Sequence, residues 1–264
     1  MKECNVFIIS VIGNAREKNE DNFYFDGKYR NINTIQESVI SEKISLNEYH
    51  IFAVFDGMGG EHNGELASYL SAKVLDDYAR KIISLTEKQI DLNEAIYELN
   101  NAVCKISKDN KSIMGSTAVI LELKNQQINV CNVGDSRAYV YRNDDLIQLT
   151  EDHTVEADNL RMSKALGIDL VDLGTRASNT LTQHLGIETD EFVLEPAISN
   201  ALDVKENDIY LICSDGLSHF INKEEICKVL KQKISITEKG KNLKDMALAA
   251  GGNDNITVIL LDVI

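Results

Sequence analysis

The stretch Ile51-Phe52-Ala53-Val54-Phe55-Asp56-Gly57-Met58-Gly59-Gly60 decides the fold of this chain. Its first five residues are apolar, and their β-branched and aromatic members are typical of a strand buried on both faces. This strand is predicted to end at Asp56. The glycines that follow permit a positive φ and a close approach to a ligand, so the Asp56 carboxylate and the Gly57 carbonyl could face one small, hard cation. The competing interpretation is an ordinary turn, because Asp and Gly favour turns for conformational reasons alone.

Further acids stand in turn-like segments elsewhere in the chain. They are Asp21 in Asn19-Glu20-Asp21, Asp135 in Gly134-Asp135-Ser136-Arg137, Asp215 in Ser214-Asp215-Gly216 and Asp254 in Asn253-Asp254-Asn255. The last three each adjoin an apolar, strand-like run, so these acids could meet at one edge of a sheet. A site with oxygen ligands and no His or Cys cluster selects Mg²⁺ or Mn²⁺ over zinc.

Length and charge limit the classes of protein to consider. The 264 residues include one Pro and no Gly/Ser-rich tract that would act as a linker, so a single domain over residues 1–264 is expected. The 42 acidic residues exceed the 27 basic ones, which gives a net charge of -15. Such a balance argues against a nucleic-acid footprint or an anionic membrane surface as partner. An acidic surface by itself also serves solubility.

Cysteine usage and the apolar runs predict a cytoplasmic location. The five cysteines are an odd number, widely spaced and without a C-x-x-C pair, as expected of small core residues in a reducing compartment. The apolar run over residues 6–12 is interrupted by Ser10 and is not followed by a small-residue cleavage site, so no signal peptide is predicted. No run approaches the roughly 18 to 20 apolar residues of a membrane span.

The remaining periodicities predict a mixture of strands and helices. Strands are predicted over residues 4–12, 23–25, 117–123, 128–133, 138–141, 146–149, 208–213 and 256–262. Helices are predicted over residues 61–80, 92–106, 153–167, 224–232 and 242–249, the last stopped by Gly251-Gly252. The polar residues 28–49 are expected to form an extended hairpin or an insertion. Strand meanders that follow paired helices indicate an α+β architecture.

Taken in order, several short motifs resemble those of the metal-dependent Ser/Thr protein phosphatases of the PPM family, also called type 2C. They are Arg16-xxx-Glu20-Asp21, Asp56-Gly57-Met58-Gly59-Gly60, Gly115-Ser116-Thr117, Gly134-Asp135-Ser136-Arg137, Leu149-Thr150-x-Asp152-His153, Ser214-Asp215-Gly216 and Asp254-Asn255-Ile256-Thr257. Each motif is weak alone, but together they cover nearly the whole chain in the family's order. The resemblance implies a four-layer α-β-β-α sandwich, in which helix pairs flank two mainly antiparallel sheets.

The resemblance also implies an activity and a set of site residues. A PPM phosphatase hydrolyses phosphoserine and phosphothreonine with a water activated by two Mn²⁺ or Mg²⁺ ions, without a covalent intermediate. The metal ligands would be Asp21, Asp56, Gly57, Asp215 and Asp254, with Asp56 bridging the two ions. Asp135 would help to bind a third, weaker ion. Arg16 would hold the substrate phosphate, a role that suits its planar, bidentate fork.

Partners follow from the same resemblance. Phosphorylated proteins are the expected substrates, a cognate Ser/Thr kinase is expected, and the chain is expected to be a monomer. Two other functions stay open: a catalytically silent, phosphatase-like module that binds a partner, and a plain divalent-ion-binding protein. A silent module would be expected to have lost a metal ligand, whereas this chain keeps Asp21, Asp56, Asp215 and Asp254. That retention favours the enzyme.

The chain departs from the family pattern at two places. Eukaryotic relatives commonly carry a His directly after the Asp-Gly step, whereas Met58 stands here and cannot donate a proton to the leaving oxygen. A metal-bound water or His62 would have to replace it, and the water is preferred. Residues 169–195 correspond to the family's flap, but they read Arg176-Ala177-Ser178 where many relatives have a His-Pro-like step. His153 is interpreted as a structural histidine at the start of a helix.

Overall fold

The computed structural model describes residues 2–59, 63–86, 89–168, 179–188, 190 and 192–264. The strands within these residues are β1 (Glu3–Val11), β2 (Asp21–Phe25), β3 (Ser38–Ser45), β4 (His50–Met58), β5 (Gly115–Ser116), β6 (Ala118–Lys124), β7 (Gln127–Val133), β8 (Arg137–Arg142), β9 (Asp145–Gln148), β10 (Ala197–Ile198), β11 (Leu202–Asp203), β12 (Ile209–Cys213) and β13 (Ile256–Val263). The helices are α1 (Asn63–Thr86), α2 (Leu92–Asn110), α3 (Val155–Leu166), α4 (Asp215–Ser218), α5 (Lys223–Leu230) and α6 (Ile236–Ala249).

The strands form two antiparallel sheets. The first has the order β3-β1-β13-β12-β8-β9, and the second has the order β10-β7-β6-β4-β2, with β11 paired to β7 and β5 paired to β4. The chain passes from the second sheet to the first between β7 and β8, through the Gly134-Asp135-Ser136 turn. The acid of this turn therefore lies where the two sheets meet.

Alternation along the central strands explains why their sequences are apolar throughout. In β4, Phe52 and Val54 point into the core between the sheets, whereas Ala53 and Phe55 face the outer core beneath the helices. Both faces of such a strand are buried, so an uninterrupted apolar run is required. The predicted burial of this strand on both faces is confirmed.

Helices cover the outer face of each sheet. Helices α1 and α2 pack on the sheet that contains β4, and α5 and α6 pack on the sheet that contains β1. The resulting layer order is helix, sheet, sheet, helix, which confirms the predicted α+β sandwich. In the described part of the chain, no helix has the length and apolar character needed to cross a membrane.

Several predicted boundaries were wrong, for local physical reasons. Strand β4 does not end at Asp56 but continues to Met58, because Gly57 and Met58 pair with the short strand β5. Helix α6 begins at Ile236 and not at residue 242, because Ser235 and Glu238 form a capping box. The predicted hairpin or insertion over residues 28–49 contains β3, an edge strand that pairs with β1. Strands β10 and β11 and the one-turn helix α4 had not been predicted.

The contact between Gly240 of α6 and Phe7 of β1 yields a test of this packing. An added Cβ on Gly240 would overlap the buried Phe7 ring. Gly→Ala in a helix interior ordinarily stabilises by about 1 kcal/mol, but overpacking a core costs about 1–3 kcal/mol. We expect Gly240→Ala to lower the unfolding free energy measured in urea, and Phe7→Leu to restore part of the loss in the double variant. A stabilised Gly240→Ala variant would contradict the packing, and Lys241→Ala on the exposed face serves as control.

Candidate active site

Two pairs of acids meet at one end of the sandwich, each pair contributed by a different sheet. Asp21 begins β2 and lies directly opposite Asp56 of β4 in the strand register. Asp215 follows β12 and begins α4, and Asp254 precedes β13, the neighbour of β12. The Ser214 Oγ, which donates to Asp21 Oδ2 over 2.7 Å, joins the two pairs.

Two glycines allow the backbones that carry the acids to approach one another. An added Cβ on Gly57 would overlap the Gly64 carbonyl oxygen and lie 2.6 Å from that of Glu20. An added Cβ on Gly216 would overlap the carbonyl oxygen of Asn255. A side chain at either glycine would therefore force the acid-bearing loops apart.

The acids open into a cavity of about 290 Å³. Its lining includes five carboxylates and one guanidinium among the described residues, and the lining residues are Arg16, Glu20, Asp56, Gly57, Met58, Gly59, Thr117, Asp135, Asn179, Leu181, Asp215 and Asp254. Asp21 is only 1% exposed and lies beneath this surface. The structure thus brings Arg16, Asp56, Gly57, Asp135, Asp215 and Asp254 to one cavity, with Asp21 directly behind it.

Burial and mutual repulsion control the protonation of these acids. Burial raises the pKa of Asp21 to about 7, although the hydrogen bond from Ser214 favours its charged form. Burial, followed by the charges of Asp21 and Asp215, raises the pKa of Asp56 well above its ordinary value. Burial also acts to raise the pKa of Asp215, but the hydrogen bond and charge of His219 outweigh it and the net shift is downward. Without a bound cation, Asp21 and Asp56 therefore keep their protons at pH values where an exposed Asp has already lost its proton.

The oxygens of the acids fit the needs of a hard cation. Asp21 Oδ1 and Asp215 Oδ1 are buried and have no hydrogen-bond partner among the described residues. Carboxylate oxygens are the ligands that Mg²⁺ and Mn²⁺ prefer. A buried, unpaired carboxylate oxygen is costly unless a cation or a donor satisfies it. The arrangement can hold divalent cations.

Asp135 and Asp56 are connected through two hydroxyl groups. The Asp56 N–H donates to Thr117 Oγ1 over 3.0 Å, and Thr117 Oγ1 lies 2.8 Å from Ser136 Oγ. This connection fixes the turn that carries Asp135 against β4. Burial, followed by the charge of Asp215, raises the pKa of Asp135 to about 6.

Arg16 reaches the cavity from the loop between β1 and β2. Its Nη2 donates to Asp254 Oδ2 over 2.8 Å, and its side chain is 47% exposed. Asn255 holds this loop in place: its Nδ2 donates to Ile12 O and Lys18 O, and its Oδ1 accepts from Glu20 N over 2.7 Å. Sequence reasoning did not find this role, because an Asn after an Asp gives no signal of a partner more than 200 residues away.

The histidines that were considered in the sequence have different outcomes. His153 Nδ1 accepts a hydrogen bond from Gly134 N over 3.2 Å, in agreement with the predicted structural role. Thr154, not His153, caps the helix that follows. His62, Gly60, the divergent Arg176-Ala177-Ser178 segment and most of the predicted flap lie outside the described residues. His219, which sequence reasoning had passed over, contacts Asp215 through its Nδ1, 3.2 Å from Oδ2.

This chain is similar to known proteins over most of its length. Residues 31–256 match the family model described as Protein phosphatase 2C. The serine/threonine phosphatase stp of Listeria innocua is 32% identical over 245 residues, which are 89% of this chain and 92% of that protein.

Two solved structures have the same fold over nearly their whole length. The Mycobacterium tuberculosis serine/threonine phosphatase PstP/Ppp superposes with a TM-score of 0.72 at 26% identity, covering 98% of each chain. A catalytic domain of the serine/threonine protein phosphatase PstP in complex with two manganese ions superposes with a TM-score of 0.73 at 25% identity, covering 99% of each chain.

The raised pKa of Asp21 predicts how the stability of the metal-free protein depends on pH. Its pKa is about 7 in the folded state against an ordinary 3.8, so the folded state binds this proton more tightly than the unfolded state. The stabilisation is complete below about pH 4 and is lost as the pH rises through about 7. We expect Tm in EDTA to fall between pH 5 and pH 8, and Asp21→Asn to reduce that fall by several degrees, at about 2–4 °C per kcal/mol. An equal fall in both proteins would contradict the prediction; Asp109→Asn, an exposed acid of α2, is the control.

The three hydrogen bonds of the Asn255 side chain give a second prediction. Asn255→Ala removes all of them and leaves partly buried backbone groups without these partners, at about 1–3 kcal/mol. We expect a lower unfolding free energy and faster proteolysis of the loop over residues 12–20. Asn255→Asp keeps the acceptor for Glu20 N but turns a carboxylate oxygen toward the Ile12 and Lys18 carbonyl oxygens, so its loss should be at least as large as that of Asn255→Ala if the geometry is right. Protease resistance equal to wild type in Asn255→Ala would show that the loop is held by other contacts.

Proposed function

We propose that this chain, which belongs to the protein phosphatase 2C family, hydrolyses phosphoserine and phosphothreonine in proteins. The observation that carries the proposal is the charge of the cavity. Five carboxylates line it with one guanidinium among the described residues. A cavity with this lining repels a phosphate ester, so the substrate can bind only after cations compensate the negative charge of the acids. A metal-dependent hydrolase of anionic esters requires this combination.

We propose that the two acid pairs hold two Mn²⁺ or Mg²⁺ ions. Asp56 would bridge the ions, Asp21, Asp215 and Asp254 would complete the acid ligands together with the Gly57 carbonyl, and Asp135 would help to hold a third, weaker ion. The unpaired buried oxygens of Asp21 and Asp215 support the first part of this assignment. When bound, such ions act as Lewis acids toward phosphoryl oxygens and lower the pKa of a coordinated water.

We propose that Arg16 binds and orients the substrate phosphate. One of its terminal nitrogens contacts Asp254 Oδ2, which leaves the rest of the guanidinium fork for phosphoryl oxygens at the cavity mouth. A planar fork fixes the orientation of a phosphate better than a point charge does. Attack in line with the leaving oxygen requires such an orientation.

The residues of the cavity favour direct attack by water over a covalent intermediate. Thr117 is the one hydroxyl residue among the described lining residues, and its Oγ1 accepts from Asp56 N and contacts Ser136 Oγ. It is buried within this network, and no carboxylate or imidazole of the described residues is hydrogen-bonded to its Oγ1. Burial raises the pKa of Cys213, the cysteine nearest in sequence to a site acid, to about 12, so its thiol stays protonated.

We also propose the setting in which the chain works. Its substrates would be phosphorylated proteins in the cytoplasm, with a cognate Ser/Thr kinase as counterpart, and it would act as a monomer. All five cysteines are free, which suits a reducing compartment. Residues 1–264 would form one catalytic domain, since β1 and β13 pair side by side from Cys4–Val263 to Val11–Ile256.

Removal of metal and of single ligands tests the assignment. We expect exhaustive chelation to abolish phosphatase activity and Mn²⁺ or Mg²⁺ to restore it. Asp56→Asn should lower kcat/KM by at least about 100-fold, because it removes a charge shared by two ions whose effect is worth several kcal/mol. Asp135→Asn should cost less, because it touches the peripheral ion alone. Full activity after chelation, or equal losses in the two variants, would refute the assignment.

Substitution of Arg16 tests the phosphate contact. Arg16→Ala should weaken transition-state binding by about 1.5–3 kcal/mol, which is about ten- to a hundredfold in kcat/KM on a phosphothreonine peptide. Arg16→Lys keeps the positive charge but loses the planar guanidinium, so its kcat/KM should fall between that of the wild type and that of Arg16→Ala. Tm should change little, because the side chain is half exposed. An unchanged kcat/KM in Arg16→Ala would show that Arg16 does not bind the substrate phosphate and is an ordinary surface residue.

A further inference from the structure

His219 lies beside two acids at the edge of the cavity. One ligand atom each from Asp135, Asp215 and His219 lie within 4.8 Å of one another. Asp215 begins α4 and His219 directly follows the helix, and this i,i+4 spacing places both side chains on one face. The His219 backbone N–H donates to the Asp215 carbonyl oxygen over 2.8 Å and closes the turn, and the His219 Nδ1 lies 3.2 Å from Asp215 Oδ2.

Asp135 independently indicates that a ligand belongs here. Its side chain lines the cavity and the residue is 6% exposed, yet its carboxylate accepts no hydrogen bond from any other described residue. Asp215 Oδ1 is likewise buried and without a donor in the described structure. Carboxylates that are this little exposed and lack donors are costly, and a bound cation would satisfy them.

The nearest basic side chain on the same turn cannot supply that charge. Arg137, two residues after Asp135, is held by Asp152, with Nε 3.0 Å from each carboxylate oxygen and Nη2 2.5 Å from Oδ2. A fork bound to one carboxylate in this way is not available to a second. When the His219 imidazole is neutral, as it must be to bind a metal, a cation from solution can supply the compensating charge.

We propose that His219 is a nitrogen ligand of the divalent cation held by Asp135 and Asp215, and that its imidazole makes this peripheral site prefer Mn²⁺ to Mg²⁺. The inference rests on the metal centre proposed above and adds a ligand of a different chemical class. Ligands about 2.1 Å from an octahedral ion lie about 3 Å apart when adjacent and about 4.2 Å apart when opposite. The ligand atoms of Asp135, Asp215 and His219 all lie within 4.8 Å of one another, which is close enough for them to approach one ion together.

The nitrogen ligand separates this site from the central one. The central ligands are all oxygens, which suit both ions, whereas imidazole suits transition metals and is a poor ligand for Mg²⁺. In Mg²⁺ buffer the central site should fill while the peripheral site stays weakly occupied. In Mn²⁺ buffer both should fill.

Electron spin echo spectroscopy of Mn²⁺ bound to the full-length protein tests the ligand directly. The measurement is made at pH 8.5, well above the ordinary pKa of imidazole. We expect modulation from a directly bound ¹⁴N nucleus at saturating Mn²⁺, and its replacement by a ¹⁵N pattern in protein labelled with ¹⁵N-histidine. His219→Asn keeps a polar atom near the Nδ1 position for Asp215 and removes the imidazole, so the modulation should disappear. Titration calorimetry should show the weakest Mn²⁺ site weakened by at least about tenfold, with little change for Mg²⁺.

The outcomes distinguish this inference from the proposed function. Mn²⁺ binding without nitrogen modulation, or modulation that persists in His219→Asn, would overturn the role of His219 and leave the central site intact. No Mn²⁺ binding at all would overturn both. If His219→Asn fails to fold, the isotope-labelled wild-type protein still decides whether a histidine nitrogen is bound, and Asp135→Asn, which should also abolish the modulation, decides at which site.

Discussion

Repulsion among carboxylates in a small, partly buried space is the constraint on which this structure depends. Asp21 and Asp56 face each other across two strands, and Asp215 and Asp254 approach them from the other sheet. Bringing these charges out of water and together costs free energy, which the raised pKa values of Asp21 and Asp56 express. The fold has to supply the stability that holds them in place.

The two sheets supply that stability through cores that lie away from the acids. Strands β1 and β4 are buried on both faces, so each contributes to the core between the sheets and to an outer core beneath helices. The acids lie at strand ends, where backbone direction is set by several residues of regular pairing. Strained or repulsive groups persist where the surrounding structure determines their positions.

Polar contacts between the sheets then set the details of the site. Ser214 joins Asp21 to the β12 end, Thr117 and Ser136 hold the Asp135 turn against β4, and Asn255 fastens the Arg16 loop to the start of β13. These groups position charged residues and do not themselves carry charge. Activity should therefore depend on residues that never contact substrate, since small displacements of reacting groups are costly.

The sequence by itself determined the elements of this protein and the kind of chemistry its acids permit. The apolar run before Asp56 predicted a doubly buried strand, and the capping box at Ser235 could have been found by the same reasoning. The resemblance of the short motifs, in order, to those of the PPM family implied the two sheets, the flanking helices and the candidate site acids, and each motif is itself a short stretch of sequence. These signals are local, because propensity, periodicity and turn chemistry act over a few residues.

Only the tertiary structure decided which groups touch across the sheets. Ser214 and Asp21 are 193 residues apart, and Arg16 and Asp254 are 238 apart. The extension of β4 past Asp56 needed β5, whose two residues give no strand signal of their own. His219 gains a possible role only because Asp135, in the turn between β7 and β8, lies near it in the folded structure. Contacts of this kind depend on the register of distant strands, and no short stretch of sequence records that register.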